Sequence, residues 1–243
     1  MYQTFKKIEN RIIPESVLRR NEKFLRGIIA LKYKGQNFQC NICDYRLKHF
    51  VKQGHNDLLC PNCGSLSRTR RLYYTLLNLP IKGKVLHLSP PKALLTKLRE
   101  IEAIDYYSSD FDGQFESDYK FDITSISQPS QSFDVILCYH ILEHIQEDIR
   151  AMEELFRVLK ANGRVYIQTP FKEGKIYENN LLKSREQRRL AFGQEDHVRI
   201  YSLKGLNMRL QSVGFKTKII ECIKNTKEDY YGLLSESYIV AEK

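Results

Sequence analysis

The sequence predicts an α/β protein built on a doubly wound parallel sheet, with a small cysteine-bearing module ahead of it. The prediction rests first on the stretch Ser132 to Pro170, SFDVILCYHILEHIQEDIRAMEELFRVLKANGRVYIQTP. Phe133 to Cys138 is a short apolar run, and Leu155, Val158 and Leu159 recur at helical spacing. Asn162-Gly163 is a helix stop, and Val165 to Thr169 is a second apolar run. Strand, crossover helix, strand is the unit of a parallel sheet, whose ligands sit at the carboxyl ends of its strands. It rests second on repetition of this alternation from Lys84 onward, and third on two Cys-x-x-Cys pairs near the start.

Taken in order, Pro14 to Leu31 reads as a helix with Ser16 as a cap and Gly35 past its end. Val17, Leu18, Phe24, Leu25, Ile28 and Ile29 form its apolar stripe, with Arg19, Arg20, Lys23 and Arg26 between them. Such a stripe packs on its own protein or lies on an anionic lipid surface. Ser67 to Leu79 is a second helix, opened by Arg68, Arg70 and Arg71. Arginine at a helix N-terminus opposes the dipole, so these residues call for another partner, either an acidic patch of the protein or an anionic substrate. Lys84 to Leu88 is a strand, Ala93 to Arg99 a helix, Asp105 to Ser109 a strand and Asp118 to Ile123 an extended segment. After the two strands of the opening stretch come a helix over Ser202 to Val213, ended by Gly214, and strands over Lys216 to Ile223 and Ser237 to Ala241.

The 243 residues have room for one full domain and a smaller one, divided near Pro80 into 1–80 and 81–243. Met1 to Arg11 contains no apolar signal region, and the longest apolar runs are strand-sized, so the chain reads as cytoplasmic. Residues 1–80 carry 15 Lys+Arg and 5 Asp+Glu, which accounts for the whole formal charge of +10. Such an excess is either a solvated face or the footprint of an anionic partner, a nucleic acid, a membrane surface or a phosphorylated substrate.

Cys40-Asn-Ile-Cys43 and Cys60-Pro-Asn-Cys63 are separated by sixteen residues. That is the spacing of a four-cysteine zinc ribbon, in which each knuckle supplies two thiolates to one tetrahedral ion. Two disulfides are the alternative, which a cytoplasmic location disfavours. His49 and His55 lie between the knuckles and read as surface residues. Cys138 and Cys222 sit in apolar runs and read as core thiols.

The residues also carry a family likeness. The Phe-Asp before the strand, the His-x-x-Glu-His after it, the Arg-Val-Leu-Lys-x-x-Gly turn and the closing Thr-Pro resemble the class I S-adenosylmethionine-dependent methyltransferases, type 11 branch. The double knuckle, Cys-Gly-Ser-Leu after it, the His-Leu-x-Pro variant at His87 and Phe192-Gly-Gln-x-Asp-His-Val-Arg-Ile-Tyr201 resemble a bacterial subgroup of that branch. The resemblance implies a Rossmann-like sheet with an antiparallel last strand, S-adenosylmethionine as cofactor and a structural Zn2+.

For the site, the resemblance implies cofactor contacts from His87, Ser89 and Pro90 in the loop after the first strand of the sheet, although the family's glycines are absent there. Ser89 would cap the following helix, and the free amides near Lys92 and Ala93 would meet a carboxylate. Asp110, at the end of the next strand, suits ribose hydroxyls, and Asp122 and Ile123 suit an adenine. Tyr139 would wall the cofactor near its sulfonium. His140 and His197 are the candidate bases, each with the alternative of a structural histidine, and Glu143 is a positioning or substrate-binding residue. His140-Ile-Leu-Glu143-His144 also matches a zinc-peptidase pattern, but that pattern needs a long helix and here it follows a strand. Tyr177 and Glu178 lie in a long, charged connection where they would face the acceptor.

The resemblance implies O-methylation of a sugar or other small molecule of surface-polysaccharide or secondary metabolism. An RNA methyltransferase gripping phosphates with its basic third is the alternative, although no base-stacking platform is evident in the sequence. A non-catalytic binding module on the same fold is another.

Overall fold

A computed structural model describes residues 15–54, 57–223 and 225–243, with side chains from Asn21 onward. Two compact units emerge. The first takes residues up to Thr75 together with Lys224–Leu234, and the second takes Leu76–Ile223 with Ser235–Lys243. The segment 224–234, which the sequence reading kept with the sheet, thus lies with the cysteine module.

In the first unit, helix α1 spans Glu15–Leu31. Ser16, expected as its cap, lies inside it, and Pro14 lies outside the described residues. Phe24, Ile28 and Ile29 of its apolar stripe are exposed. Strands β1 (Lys34–Gln39) and β2 (Arg46–Leu47) pair antiparallel, as do β3 (Val51–Gln53) and β4 (Asp57–Leu59). Each hairpin edge leads into a knuckle of the same backbone design. The Cys40 carbonyl accepts from Asp44 N–H at 2.8 Å and the Cys60 carbonyl from Gly64 N–H at 2.9 Å. This turn needs a left-handed residue, which is glycine in one knuckle (Gly64, φ 76°) and Asp44 in the other (φ 57°). Aspartate is among the few side chains that tolerate this region.

Helix α2 (Ser67–Asn78) carries the arginines whose partners the sequence left open. Arg70 is fully buried. It donates to the carbonyls of Ser65, Leu58, Tyr231 and Gly232 at 2.6–3.0 Å and stacks 4.1 Å over Phe50. Arg71 pairs with Glu228 at 2.7 Å and bonds the Leu234 carbonyl, and Arg68 reaches Asp57 at 3.4 Å. The partner is therefore the protein itself. Residues 225–234, with the short helix Thr226–Tyr230, are stitched to the cysteine module by buried guanidinium groups, which are thus not left for a substrate.

The second unit is built on a six-stranded sheet. Its parallel part comprises β5 (Gly83–Leu88), β6 (Ile104–Ser109), β7 (Phe133–Tyr139) and β8 (Leu159–Gln168). The strand order from the far edge is Lys216–Cys222 (β11), Glu236–Glu242 (β12), β8, β7, β5, β6. β12 alone runs antiparallel to its neighbours, as the family pattern implies. Helix α3 (Lys92–Arg99) connects β5 to β6, α4 (Asp148–Val158) connects β7 to β8, and α6 (Leu203–Val213) precedes β11. Leu86, Ile136, Cys138, Val165 and Ile167 on one sheet face pack with Met152, Leu155, Leu206 and Leu210 of α4 and α6 into the main core. From β5 the chain passes to β6 on one side and then to β7 on the other. The switch point where such sheets bind ligands thus falls at the carboxyl ends of β5 and β7.

Two sequence expectations change here. The helix of the opening stretch ends at Val158, not at Asn162-Gly163. Leu159 is already extended and pairs in parallel with Phe133, so backbone pairing overrides the helical spacing of its side chain. Asp118 to Ile123 forms no strand. Its contacts are isolated bridges, Ser109 with Tyr119 and Asp122 with Ser125.

Candidate functional site

At the ends of β5 and β6 the chain brings Ser89 and Asp110 together. Ser89 does not cap α3. The N-cap is Pro91 without a side-chain bond, and the Ser89 hydroxyl donates instead to Asp110 Oδ1 at 2.7 Å. Ser89 takes φ 44°, a left-handed conformation that a glycine adopts without strain. The serine therefore makes the turn that family glycines would make, and its hydroxyl orients a carboxylate. Asp110 is buried, with Phe115 N–H on Oδ2 at 2.9 Å, so each oxygen keeps a lone pair for a further donor. In the first turn of α3, Leu94 and Leu95 donate to the Pro91 carbonyl, which leaves the Lys92 and Ala93 amides without an intrahelical acceptor. Pro90 is buried beside this turn.

Other expected cofactor residues have protein partners of their own. His87 is buried and its Nδ1 lies 2.8 Å from the Tyr106 hydroxyl; burial alone lowers its pKa to about 3. Its ring is a neutral interior group. The Asp122 carboxylate accepts from the Thr124 hydroxyl and amide at 2.7 and 2.8 Å, which lowers its pKa. Ile123 belongs to the main core. The Tyr139 hydroxyl is buried on the sheet face opposite Cys138, and burial, then the nearby Glu236 and Tyr238, push its pKa well up.

A second group gathers after β7. His140 stands at φ 56°. Its Nδ1 lies 3.2 Å from Glu143 Oε1, and Leu142–His144 makes one short 3-10 turn. Glu143 is 1% exposed. Burial raises its pKa, but the contact with His140 outweighs this and leaves it lowered. The rings of His144 and His197 meet edge to face at 4.7 Å, and His144 Nδ1 lies 3.3 Å from Asp196 Oδ2. Burial first, and the neighbouring His144 second, lower the pKa of His197.

The two chain segments are locked together by backbone and by Arg199. Val198 N–H donates to the Glu143 carbonyl at 2.9 Å. Arg199, buried in the short strand β10 (Arg199–Ile200), donates to the carbonyls of Leu142, Ile145 and Gln146. Asp148 and Glu178 close the network against Arg199 and Arg209, and the Tyr201 hydroxyl donates to Asp148. Glu178, expected toward an acceptor, is thus a structural ion-pair partner in β9 (Tyr177–Glu178), which pairs with β10. The connection it belongs to is ordered further by helix α5 (Arg185–Phe192), which has a Ser184–Gln187 capping box and ends at Gly193. Glu143 and His197, with Pro170, Phe171, Lys172 and Phe192, line a cleft of about 220 Å³.

Sequence reasoning missed Arg199, His144 and Asp196 as parts of this arrangement. Their signal was present, since Asp196-His-Val-Arg199 and Glu143-His144 both lie within recognised motifs. Only the fold reveals that one motif grips the other.

In the first unit the four cysteines converge. Cys40 Sγ lies 3.7 Å from Cys63 Sγ, and Cys43 Sγ 3.7 Å from Cys60 Sγ. A tetrahedron with metal–sulfur bonds of 2.3 Å has edges of about 3.8 Å. The Ser65 hydroxyl lies 3.1 Å from Cys63 Sγ and the Asn62 amide donates to Cys43 Sγ at 3.4 Å, as outer partners of thiolates do. His49 stands apart, edge-on to Tyr33, and His55 lies outside the described residues.

With this geometry in place the comparisons are direct. A family model described as a methyltransferase domain matches residues 82–218, more than half of the chain. No curated protein matches. Among solved structures, a SAM-dependent methyltransferase from Archaeoglobus fulgidus aligns with TM-score 0.52 at 16% identity, over 72% of this chain and 93% of that one. An S-adenosylmethionine-dependent methyltransferase from Mesorhizobium loti aligns with TM-score 0.52 at 13% identity, over 70% and 97%. The [4+2]-cyclase SpnF aligns with TM-score 0.54 at 14% identity, over 80% and 87%. At these identities the likeness is of fold. The chain belongs to the methyltransferase-domain family. Its sheet has the Rossmann-like fold of the S-adenosylmethionine-dependent methyltransferases it aligns with.

The interior His87 makes a pH prediction. Unfolded, it binds a proton near pH 6.5; folded, only near 3. Below pH 6.5 the unfolded chain therefore binds more protons. Stability fully present above that value is lost as pH falls toward 3, by up to about 1.4 kcal/mol per pH unit. Urea unfolding between pH 6.5 and 5, above the carboxylate range, should show this slope, and His87→Gln should flatten it by one proton. Equal slopes for the two proteins would exclude a neutral buried His87.

Proposed function

We propose that the chain transfers a methyl group from S-adenosylmethionine to a hydroxyl of a small, sugar-like acceptor, in surface-polysaccharide or secondary metabolism. The observation that carries this reading is the pairing of two groups at the strand ends. Ser89 and Asp110 stand at one, and a histidine–carboxylate cluster beside a small cleft stands at the other. The residues fit the cofactor. Asp110 would accept from its ribose hydroxyls, and the Lys92 and Ala93 amides suit its carboxylate. Pro90 would border it, Asp122 and Ile123 lie on the adenine side by sequence position, and His87 and Tyr139 would contribute through backbone alone.

When bound, the cofactor supplies an electrophilic methyl on a sulfonium. The chain's own residues hold the acceptor oxygen in line and exclude water. His140 or His197 would take the proton of the acceptor hydroxyl as that oxygen is methylated. Glu143 holds His140 in orientation through the 3.2 Å contact of Oε1 with Nδ1. Calorimetry with S-adenosylhomocysteine tests the cofactor half. Asp110→Ala should weaken binding by about 2–4 kcal/mol, the loss of two charge-assisted hydrogen bonds. A wild-type protein that binds neither the cofactor nor its product would turn the reading to a non-catalytic binding module.

The four-cysteine cluster is proposed to hold one structural Zn2+ in a ribbon that makes up, with the basic helix, the N-terminal domain of residues 1–80. Metal analysis should give one zinc per chain, and Cys60→Ser should release it. Purified protein without zinc and with two disulfides by mass spectrometry would overturn this.

One observation favours RNA as acceptor. A hollow of about 490 Å³ in the first unit is lined by Tyr33, Phe38, His49 and Phe50 with Lys52, the kind of aromatic and basic surface on which bases stack. Against it, Arg70 and Arg71 are buried and unavailable to phosphates. The small acceptor is therefore the reading taken, for a protein acting in the cytoplasm, with the exposed face of α1 leaving room for peripheral contact with a membrane. Filter binding to ribosomal RNA at two salt concentrations separates the two. Weak, non-specific binding is expected. Tight, selective binding that falls by about 0.7–0.9 log units per phosphate contact for each tenfold rise in salt would promote RNA.

A further inference from the structure

We propose that Glu143, His144 and His197 bind a divalent transition-metal ion, at a second metal site separate from the cysteine cluster. The ligand atoms of these three side chains lie within 4.8 Å of one another, so a small closure brings all three onto one ion. Two imidazoles and one carboxylate are a donor set for zinc, cobalt, manganese or iron in their divalent states, and less suited to magnesium or calcium.

The state of Glu143 argues most strongly for a missing cation. The side chain is 1% exposed, and neither carboxylate oxygen has a well-aligned hydrogen bond. His140 Nδ1 stands 3.2 Å from Oε1 and so meets only one of the two oxygens. A buried carboxylate left in this way is costly unless something positive occupies the space it faces. The alternative is a purely structural polar cluster. That would spend its donors on Glu143, whereas here His144 turns Nδ1 to Asp196 and His197 packs edge-on against His144. A carboxylate on one imidazole nitrogen is the outer arrangement that aims the other nitrogen at a metal.

The scaffold is also rigid where a metal site needs it. Val198 N–H fixes the His197 segment to the Glu143 carbonyl, and Arg199 holds the carbonyls on both sides of the 3-10 turn. The ligands are not those of the peptidase pattern. His140 and His144 do not converge on a helix face; the turn sends His144 toward His197 and leaves His140 outside the three. Glu143 and His197 face the cleft, so the proposed ion keeps a side open to a ligand, as catalytic sites do.

Its role rests on the hydroxyl-acceptor reading above. An ion here would draw the acceptor oxygen into the cleft and lower the pKa of its hydroxyl. With His197 occupied as a ligand, His140 is the histidine left to take the proton.

Titration of the 243-residue chain with Co2+, after zinc has been supplied to the cysteine cluster, tests the site through visible d–d absorption. One equivalent should bind without the intense near-ultraviolet band of thiolate ligation. Glu143→Gln, His144→Ala and His197→Gln should each raise the dissociation constant by about 100-fold, at unchanged thermal midpoint. His144, 31% exposed, is the variant that keeps the test valid if a buried substitution impairs folding. No saturable uptake by the wild type, uptake untouched by His144→Ala, or a spectrum of thiolate ligation alone would overturn the proposal. S-adenosylhomocysteine calorimetry on the same samples reports the methyltransferase reading separately. Cobalt binding without nucleoside binding would leave the metal site standing and remove its assigned role.

Discussion

Arg199 is the residue on which the acceptor side of the sheet depends. A guanidinium has five donors in a fixed plane, and here they are spent on the carbonyls of Leu142, Ile145 and Gln146 and the carboxylate of Glu178. The turn after β7 has no side-chain cap, and its carbonyls would be left in the interior without this partner. By satisfying them, Arg199 joins two segments more than fifty residues apart and sets His140, Glu143, His144 and His197 side by side. Its own charge is balanced by Asp148 and Glu178, which also hold Arg209, so the clamp extends to α4 and α6.

The basic first third follows the same physics with a different outcome. Arg70 and Arg71 contribute to the formal excess of +10, but they sit inside the first unit and bind carbonyls and Glu228. A buried arginine is stable there because nearly every donor finds an acceptor and its plane stacks on Phe50. A charge tally cannot distinguish such residues from a phosphate-binding face. The distinction lies in Lys224–Leu234, which the sheet-bearing part of the chain sends back to the cysteine module.

The loop after β5 is a case of different residues meeting one backbone requirement. Ser89 takes φ 44°, where glycine is free of strain, and its hydroxyl bonds Asp110. Left-handed strain in a non-glycine residue is kept where the surroundings hold it, and such positions gather at functional sites. His140, at φ 56° on the end of the neighbouring parallel strand, is a second instance on the same edge of the sheet.

The family resemblance carried the antiparallel last strand, and the sequence by itself determined the strand–helix alternation and the two knuckles. These depend on local periodicity, turn residues and spacing, which are written along the chain. It also marked Asp110, Glu143, His140 and His197, because residues just past the end of a parallel strand or inside a recognised motif can be found by position. Tertiary structure alone decided which way the side chains were spent. His87 and Ile123 went to the interior, Glu178 to an ion pair, Ser89 to Asp110 rather than to a cap, and Leu159 to a strand rather than to the last turn of a helix. Each outcome is set by a partner distant in sequence, and a buried polar group takes whichever partner the fold brings within hydrogen-bond reach.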